Sequence, residues 1–489
     1  MCHRALRTLF FTCLCVLVAF IHHAVARDSK LPNIVFLLAD DLGFGDLHCY
    51  GHPYARTSNL DKLAADGTRF LQFHSTGCTC CPARTGLMTS KFPATYPTYP
   101  ANGGFAEHVT ITQLLKKQGY ATGHFGKWHI GPITKNGTYG IDTIMVDQED
   151  KRRERVDPRG RDAAIYDNAI AFIEQHKDEP FYINVWGHMT HHPVDPPQVL
   201  VDKWTQLKVK DEDFSETMRQ KIGMYRSAGA DVSDAMRRYL SEVEALDTNI
   251  GRLLQRLDEL GLRENTIVVF SSDQGSPNIV KETESGEAKV IDRQANRQKR
   301  RGKTPPAESK PTDPSSDVSQ NVRFNLMGYN GEHRGGKHTN WEGGVCVPFI
   351  LRWPGHATAG RVDENSVISG ADWLPTLCHL TGITINAADF DGEDLSAAWL
   401  GSDSIRTKPL LWKTSTPNSE AAIREGPWKL FSPTARRGEL ELYDIPHDSF
   451  EKNNVAAAHP DIVEKLKAKV DAWRATLPKS YLKTGDKQD

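Results

Sequence analysis

The chain has 489 residues, of which 39% are hydrophobic and 25% charged, a composition typical of globular proteins. Because single hydrophobic cores stop growing near about 250–300 residues, this length predicts one large domain and one smaller one. Basic and acidic side chains number 60 and 62, and the formal net charge is −2. That balance excludes a global attraction to nucleic acid or to membrane surfaces, so any affinity for an anionic substrate must be local.

Residues 1–26 are typical of a secretory signal peptide. Two arginines precede an apolar run from Leu9 to Ile21, and the small residues at 24–26 offer a cleavage site. The run is shorter than the ~20 residues that span a membrane, although an uncleaved anchor is an alternative. We therefore expect an exported protein, in a secreted, periplasmic or lysosomal-type compartment according to the host, with no membrane association after cleavage.

Cysteine usage agrees with a folded core that needs no disulfide scaffold. Removal of the signal would leave six cysteines, at positions 49, 78, 80, 81, 346 and 378. Six cysteines are too few to form a disulfide framework that stabilises a chain of this length, even in an oxidising compartment. Their pairing is left open by the sequence.

Apolar runs alternate with amphipathic segments from residue 33 onward. Continuous apolar runs, typical of strands buried on both faces, cover 33–39, 181–186, 266–271 and 347–352, and the run of mixed residues at 120–125 is also predicted to be a strand. Helical periodicity covers 110–118 and 236–260, and each of these segments is followed by glycine. The alternation predicts an α/β fold whose large, mostly parallel or mixed sheet is sandwiched by helices. Ligands of such sheets bind beyond the carboxyl ends of the strands.

Two later segments depart from this pattern. Residues 280–320 are polar and contain several prolines, with seven basic residues and one acid between Lys289 and Lys303. They predict a mobile insert that could attract a polyanion or be merely a solvated loop. From about 405, short, partly alternating strands at 410–412, 428–431 and 439–443 and a helix near Pro460 predict a small antiparallel sheet with a terminal helix. We therefore divide the chain into a large catalytic domain at 27–404, which carries the insert, and a C-terminal α+β subdomain at 405–489.

Carboxylates follow two of the predicted strands. Asp40 and Asp41 come directly after the first apolar run, and Asp273-Gln274 follows the run at 266–271. Three carboxylates and an amide oxygen at one edge of a sheet suit a hard cation, either calcium or magnesium. The alternative for Asp40-Asp41 is a helix cap with a first-turn acid. No His and Cys spacing suggests zinc.

Cations and histidines follow other strands. Lys127 and His129 come after the run at 120–125, and His188 and His191 come after the run at 181–186. Lys337 follows Gly335-Gly336 and precedes Gly343-Gly344, and these glycines allow close backbone approach. Each of these residues taken alone is more typical of a solvated lysine or a hydrogen-bonded loop histidine.

Cys80 opens the string Cys80-Cys81-Pro82-Ala83-Arg84, which Leu87-Met88-Thr89 follows. This string resembles the Cys-x-Pro-(Ser/Ala)-Arg signature of type I, formylglycine-dependent sulfatases of the alkaline-phosphatase-like superfamily. Ser90 stands where that signature usually has Gly, and we expect it to alter local backbone more than function. The alternative is a cluster of buried or disulfide-bonded cysteines at 78, 80 and 81. The order of the other motifs extends the resemblance over residues 32 to 475.

The resemblance implies a role for each of these residues. Cys80 would be oxidised by a formylglycine-generating or sulfatase-maturing enzyme to 3-oxoalanine (formylglycine), whose hydrate attacks the sulfur of a sulfate ester. Arg84 would steady that hydrate, and Lys127 and His129 would lie beside it. His191, with His188 as a weaker candidate, and Lys337 would bind the sulfate. One calcium ion would be held by the modified Cys80 and by Asp40, Asp41, Asp273 and Gln274.

A sulfate monoester is already anionic and repels an anionic nucleophile, so a metal and cations from Arg84, Lys127 and Lys337 are physically reasonable. Lys337 or His191 could protonate the departing alcohol, and His129 could deprotonate the second hydroxyl of the hydrate.

We therefore expect an exported sulfatase acting on a sulfated small molecule, sugar or glycan, with no nucleic-acid partner. The alternatives are a phosphonate or phosphate ester hydrolase of the same superfamily, and a non-catalytic glycan-binding relative if Cys80 is unmodified.

Overall fold

The computed structural model describes residues 31–98, 103–131, 135–146, 157–277, 325–413, 420–433 and 438–482, together with the backbone of 280–282 and 288–290. The predicted signal peptide and most of the predicted insert at 280–320 lie outside the described residues. Within them, no helix is both long enough and apolar enough to cross a membrane. The six cysteines at positions 49, 78, 80, 81, 346 and 378 are all free thiols.

Sixteen strands are assigned in the described ranges. In chain order they are β1 Asn33–Ala39, β2 Thr68–Phe70, β3 Phe73–His74, β4 Ala121–Gly126, β5 Thr143–Met145, β6 Phe181–Trp186, β7 Thr266–Ser272, β8 Val280–Glu282, β9 Ala288–Val290, β10 Phe349–Arg352, β11 Arg361–Asp363, β12 Ile368–Ser369, β13 Leu410–Lys413, β14 Ala421–Glu425, β15 Trp428–Ser432 and β16 Glu441–Asp444.

The same ranges contain eleven α-helices. They are α1 Ser58–Ala65, α2 Cys80–Thr89, α3 Ile111–Lys117, α4 Ala163–Gln175, α5 Gln198–Val201, α6 Glu216–Ser227, α7 Val232–Glu259, α8 Glu342–Val345, α9 Trp373–Thr381, α10 Ser396–Trp399 and α11 Pro460–Thr476.

The large sheet has eight strands in the order β11-β2-β10-β7-β1-β6-β4-β5. Its central strands β7, β1, β6 and β4 pair in parallel, and β10 is antiparallel to both of its neighbours. The predicted mostly parallel sheet is therefore confirmed. Because β1, β4, β6 and β7 run the same way, their carboxyl ends meet at one edge of the sheet, which we call the reaction edge.

Helices cover both faces of this sheet. One core packs α1, α4 and α7 against alternate side chains of the strands, and a second core packs α2, α3 and α9 against the other face. Strand β1 is completely buried, because its apolar residues contribute to both cores in turn. The long helix α7 starts at Asp231, whose carboxylate accepts hydrogen bonds from the backbone N–H groups of Ser233 and Asp234.

The smaller C-terminal sheet is antiparallel, with strands in the order β13-β14-β15-β16 and α11 packed on it. The prediction of such a sheet and helix is confirmed, although β14 has no counterpart among the predicted strands. The backbone pairs β8 and β9 as a short antiparallel ladder inside the region predicted as an insert.

A buried charge cluster joins the C-terminal sheet to α8 and to strand β3. Lys429 on β15 donates to Glu342 of α8 at 2.7 Å and lies 2.8 Å from Glu451. His74 of β3 contacts Glu342 at 2.9 Å, and the backbone N–H of Glu342 donates to Glu451 at 2.8 Å. Groups as buried as these are stable only when paired, so the C-terminal sheet holds α8 in place.

Ser90 ends α2 in the left-handed region, with φ 54° and ψ 33°. That region costs a non-glycine residue about 1–2 kcal/mol, which explains why glycine is usual at this point of the motif. The Ser90 hydroxyl compensates in part, because it accepts a hydrogen bond from the backbone N–H of Leu374 at 3.1 Å. The substitution therefore affects the end of the helix opposite to Cys80.

Lys221 on α6 is a second buried cation, only 3% exposed. Its ammonium group donates to the carbonyl oxygens of Pro277 at 3.1 Å and of Gly328 at 2.5 Å. These two carbonyls flank residues 278–324, so one side chain ties together the two ends from which that segment departs.

Candidate active site

The reaction edge collects side chains from segments that are distant in the sequence. Asp40 and Asp41 follow β1, Lys127 follows β4, and Asp273 and Gln274 follow β7. The start of α2 and the loop before α8 bring two further residues, Cys80 and Lys337, to the same point. These predicted site residues therefore converge, as the shared direction of the strands requires.

Cys80 lies at the centre of this group. Its Sγ is 3.4 Å from Asp40 Oδ1, 3.3 Å from Gln274 Nε2 and 3.4 Å from Lys337 Nζ. The side chain is buried, and burial followed by the charges of Asp40 and Asp273 raises the pKa of the Cys80 thiol. An unmodified Cys80 would therefore remain a protonated and weakly nucleophilic thiol.

Each of three buried carboxylates is matched by one cation. Lys127 Nζ forms an ion pair with Asp40, and Lys337 Nζ lies 2.7 Å from Asp41 Oδ2. Arg84 donates from Nε and Nη2 to the same oxygen of Asp273, at 3.0 and 2.8 Å. Three acids and three bases leave the pocket close to neutral.

The pKa values of the three carboxylates differ although all are buried. Burial opposes the ionisation of Asp40 and Asp41. The charge of Lys127 beside Asp40 and that of Lys337 beside Asp41 outweigh this effect, so the pKa values of both carboxyl groups are lowered. Burial and the neighbouring Asp40 raise the pKa of Asp273 to about 7. Burial also opposes the charge of the two lysines, yet Asp40 and Asp41 raise their pKa values, so both ammonium groups remain charged.

The histidines lie on the open side of the group. His191 Nε2 is 3.7 Å from Asp41 Oδ2, and its Nδ1 contacts the carbonyl oxygen of His192 at 2.7 Å. The His188 Nε2 atom is buried without a hydrogen-bond partner in the described part of the chain. His129 is exposed, and partial desolvation together with Lys127 and Arg84 lowers its pKa to about 4. A neutral His129 is able to accept a proton.

Two residues that the sequence analysis did not single out hold the histidine loop. Asp162 accepts hydrogen bonds from the backbone N–H groups of His188 and Met189, both at 2.9 Å. Arg161 donates to the carbonyl oxygens of His188 and His191, at 3.1 and 2.5 Å. In sequence, Asp162 looks like an ordinary acid before a helix, and only its full burial marks it as different.

Glycines bring the Lys337 loop against the end of β7. A Cβ atom added to Gly275 would lie 1.8 Å from the carbonyl oxygen of Gly343, which is far inside van der Waals contact. The backbone N–H of Gly275 donates to the carbonyl oxygen of Gly344 at 3.2 Å, and that of Lys337 donates to Ser276 at 3.1 Å. The predicted close backbone approach is therefore present at Gly343 and Gly344.

The carboxylate and amide oxygens at the reaction edge fit a hard divalent cation. Ligand atoms of Asp40, Asp41, Cys80 and His191 all lie within 4.8 Å of one another. The Gln274 Oε1 atom is buried without a partner in the described residues, while Nε2 of the same amide donates to Asp41. Asp273 is not one of these four residues; Arg84 contacts its Oδ2 atom, and its Oδ1 atom accepts a hydrogen bond from the backbone N–H of Asp41 at 3.2 Å.

A comparison with known proteins finds similar sequences and structures. A family model described as Sulfatase matches residues 32–383. Arylsulfatase A of Homo sapiens is 28% identical over 522 residues, covering 91% of this chain and 87% of that protein. An N-acetylgalactosamine-6-O-sulfatase of Bacteroides thetaiotaomicron is 26% identical, covering 90% and 92%. The solved structure of Ps i-CgsB in complex with k-i-k-neocarrahexaose shares the fold, with a TM-score of 0.69 and 21% identity over 92% of this chain and 94% of that one.

The contact between Gly275 and Gly343 predicts a large effect of one methyl group. Gly275→Ala should lower the free energy of unfolding by about 2–3 kcal/mol, because the collision is with backbone that has little room to move. Gly223→Ala is the matched control, since Gly223 lies in α6 with nothing within 4 Å of the added atom. Gly223→Ala should leave the free energy of unfolding unchanged or raise it by about 0.5–1 kcal/mol. Urea unfolding of the two variants would measure both values, and equal unfolding midpoints would contradict the assigned contact.

Proposed function

Because this chain belongs to the sulfatase family and is a sulfuric ester hydrolase, we propose that it removes sulfate from sulfated sugars or glycans by means of a formylglycine made from Cys80. The observation that carries the proposal is the position of Cys80. Its side chain lies at the start of α2, within 3.4 Å of Asp40 and Lys337 and one helical turn from Arg84. This residue alone has the Pro82 and Arg84 spacing of the modification motif.

The proposed substrate class is supported by the relatives and by the charges of the pocket. One relative is named for a sulfated N-acetylgalactosamine, and the structure of Ps i-CgsB holds a neocarrahexaose. A sulfate monoester carries one negative charge, and Lys127 and Lys337 present ammonium groups near Cys80. These cations would hold the ester and offset charge that develops on its oxygens in the transition state.

The side chains around Cys80 can divide the proton transfers. Lys337 is a charged donor in contact with the Cys80 sulfur, so it can protonate the departing alcohol oxygen. His191 lies at the open side and can donate to the sulfate or to that oxygen. His129, held neutral by its surroundings, can accept the proton released when sulfate leaves. Arg84 is fixed by Asp273 and by the carbonyl oxygen of Lys127, so it orients the start of α2.

Two groups complete the proposed site. Formylglycine at position 80 would supply, as its hydrate, the oxygen nucleophile and the means to expel sulfate afterwards. Calcium, more suitable here than magnesium, would be held by Asp40, Asp41, Asp273, Gln274 and residue 80, and would supply positive charge. We further propose that residues 1–26 direct export, that a maturing enzyme converts Cys80, and that residues 27–404 and 405–489 form the two domains of the exported chain.

The first test separates Cys80 from its neighbour. Cys80→Ala should lower kcat/KM for an aryl sulfate at least about 10⁴-fold, because the nucleophile is lost. Cys81→Ala should retain activity within about tenfold, since its Sγ points to Thr85 Oγ1 at 3.9 Å. Peptide mass spectrometry of the active wild-type protein should find an aldehyde at position 80. Full activity of Cys80→Ala would refute the proposed mechanism.

The second test addresses the metal. Asp41→Asn should lower the calcium content found by elemental mass spectrometry, abolish the rise in melting temperature on adding calcium, and reduce kcat/KM about a hundredfold or more. Asp211→Asn, which removes an exposed carboxylate bound to Arg226, should change none of these values. An Asp41→Asn protein with a wild-type calcium content would remove Asp41 from the ligand set.

The third test compares ester classes, because a phosphonate or phosphate ester hydrolase would use similar residues. We expect kcat/KM for an aryl sulfate to exceed that for the matching aryl phosphodiester by about a hundredfold. A screen of sulfated mono- and oligosaccharides in the same assay would then identify the sugar. Faster hydrolysis of the phosphodiester would favour the alternative, and no turnover of any ester by aldehyde-bearing protein would favour a binding role.

A further inference from the structure

Arg352 is the last residue of β10 and lies at the edge of the large sheet opposite to the reaction edge. In the antiparallel ladder it pairs with Val268, near the start of β7 and five residues before Asp273. At about 3.3 Å per residue, this register separates Arg352 from Asp273 by roughly 16 Å along the strand. Whatever Arg352 does is therefore spatially separate from the candidate active site.

The Arg352 side chain is buried without a partner. It is 2% exposed, and its Nε and Nη2 atoms have no hydrogen-bond partner in the described part of the chain. Burial and the nearby Arg263 lower its pKa to about 10, which still leaves the guanidinium charged at neutral pH. Nε and Nη2 form one edge of the guanidinium, and such an edge binds two oxygens of one anion. A buried charge whose donors have no hydrogen-bond partner favours an anionic ligand, although Asp258, Asp66 and Glu264 offset part of the charge from a distance.

The nearest carboxylates already have partners. Arg263 lies 2.7 Å from Asp66 Oδ2 and 3.1 Å from Asp258 Oδ2. Lys62 shares the same oxygen of Asp66 at 2.8 Å. Arg352 itself forms no ion pair with a carboxylate of the described residues. Glu264, whose charge also acts on Arg352, lies 3.9 Å from Arg263. The local acids are therefore all paired with Arg263 or Lys62 rather than with Arg352.

A surface cavity of about 390 Å³ has Arg352 in its wall. Its lining includes four cationic side chains, those of Lys62, Arg252, Arg263 and Arg352, but only two carboxylates, those of Asp66 and Asp258. Leu63 and Leu254 are the only large apolar residues of the lining. The cavity therefore favours a small, multiply hydrogen-bonding anion over an apolar ligand, and donors on several walls suit a tetrahedral one.

We propose that this cavity is a second anion site, in which Arg352 binds a small tetrahedral oxyanion of the sulfate or phosphate class. Lys62 and Arg263, which also line the cavity, contribute positive charge while keeping their contacts with Asp66. The site does not depend on the reaction proposed for Cys80, so either proposal can fail without the other.

Crystals of the full-length mature chain soaked in selenate provide a direct test, because selenium scatters anomalously and selenate has the shape of sulfate. We expect an anomalous peak within about 3 Å of the Arg352 guanidinium. Parallel soaks in phosphate would distinguish a site for both anions from one that accepts only sulfate. Water alone at Arg352 in the selenate-soaked crystals would overturn the proposal.

Solution measurements decide whether binding occurs outside the crystal. At equal ionic strength, a few millimolar sulfate should raise the melting temperature of the wild-type protein more than that of Arg352→Met. Arg219→Met, which removes an exposed arginine of α6, should respond like the wild type. A peak in the crystal with equal responses of wild type and Arg352→Met would mean binding at crystal concentration only, and would refute the site.

Should Arg352→Met not fold, Arg352→Lys retains the charge and loses the two-nitrogen fork. We then expect the sulfate-specific rise in melting temperature to shrink by more than half. An undiminished rise in Arg352→Lys would show that the fork does not bind the anion.

Discussion

Three carboxylates and three cations are buried together at one edge of the large sheet, and this crowding of charge constrains the rest of the fold. Asp40, Asp41 and Asp273 would repel one another strongly in a medium of low dielectric constant if each did not contact its own cation. The cations come from β4, α2 and the loop before α8, so all of these segments must be correctly positioned at once. The buried cluster around Glu342 and Lys429 serves that requirement, because it fixes α8 against the C-terminal sheet.

Much of the fold could be predicted because its central strands carry an unambiguous signal. Strands β1 and β6 have the predicted bounds, since continuous apolar runs of that length fit few structures other than strands buried on both faces. The antiparallel direction of β10 could not be predicted, because a buried strand has the same apolar pattern in either direction. Short strands such as β3 and β12 have only two residues each, too few for any periodicity.

The candidate site could be predicted residue by residue, but not its pairing. Strand ends indicated which side chains would meet, and the Cys80 motif indicated the chemistry. Which lysine contacts which carboxylate depends on loop conformation, for example on the close approach of Gly275 and Gly343, and no local pattern encodes that. The role of Asp162 and Arg161 could not be predicted for the same reason, because both residues contact backbone groups of a loop that is distant in sequence.

The tie that Lys221 makes between Pro277 and Gly328 has an evolutionary consequence. A segment whose two ends are held by one ammonium group can change in length or composition without displacing Asp273 on one side or Lys337 on the other. The entropic free-energy cost of bringing the two ends of a chain segment together increases only slowly with its length, by about 0.6 kcal/mol for each doubling. Relatives of this chain can therefore diversify between residues 278 and 324 while the reacting groups remain under separate selection.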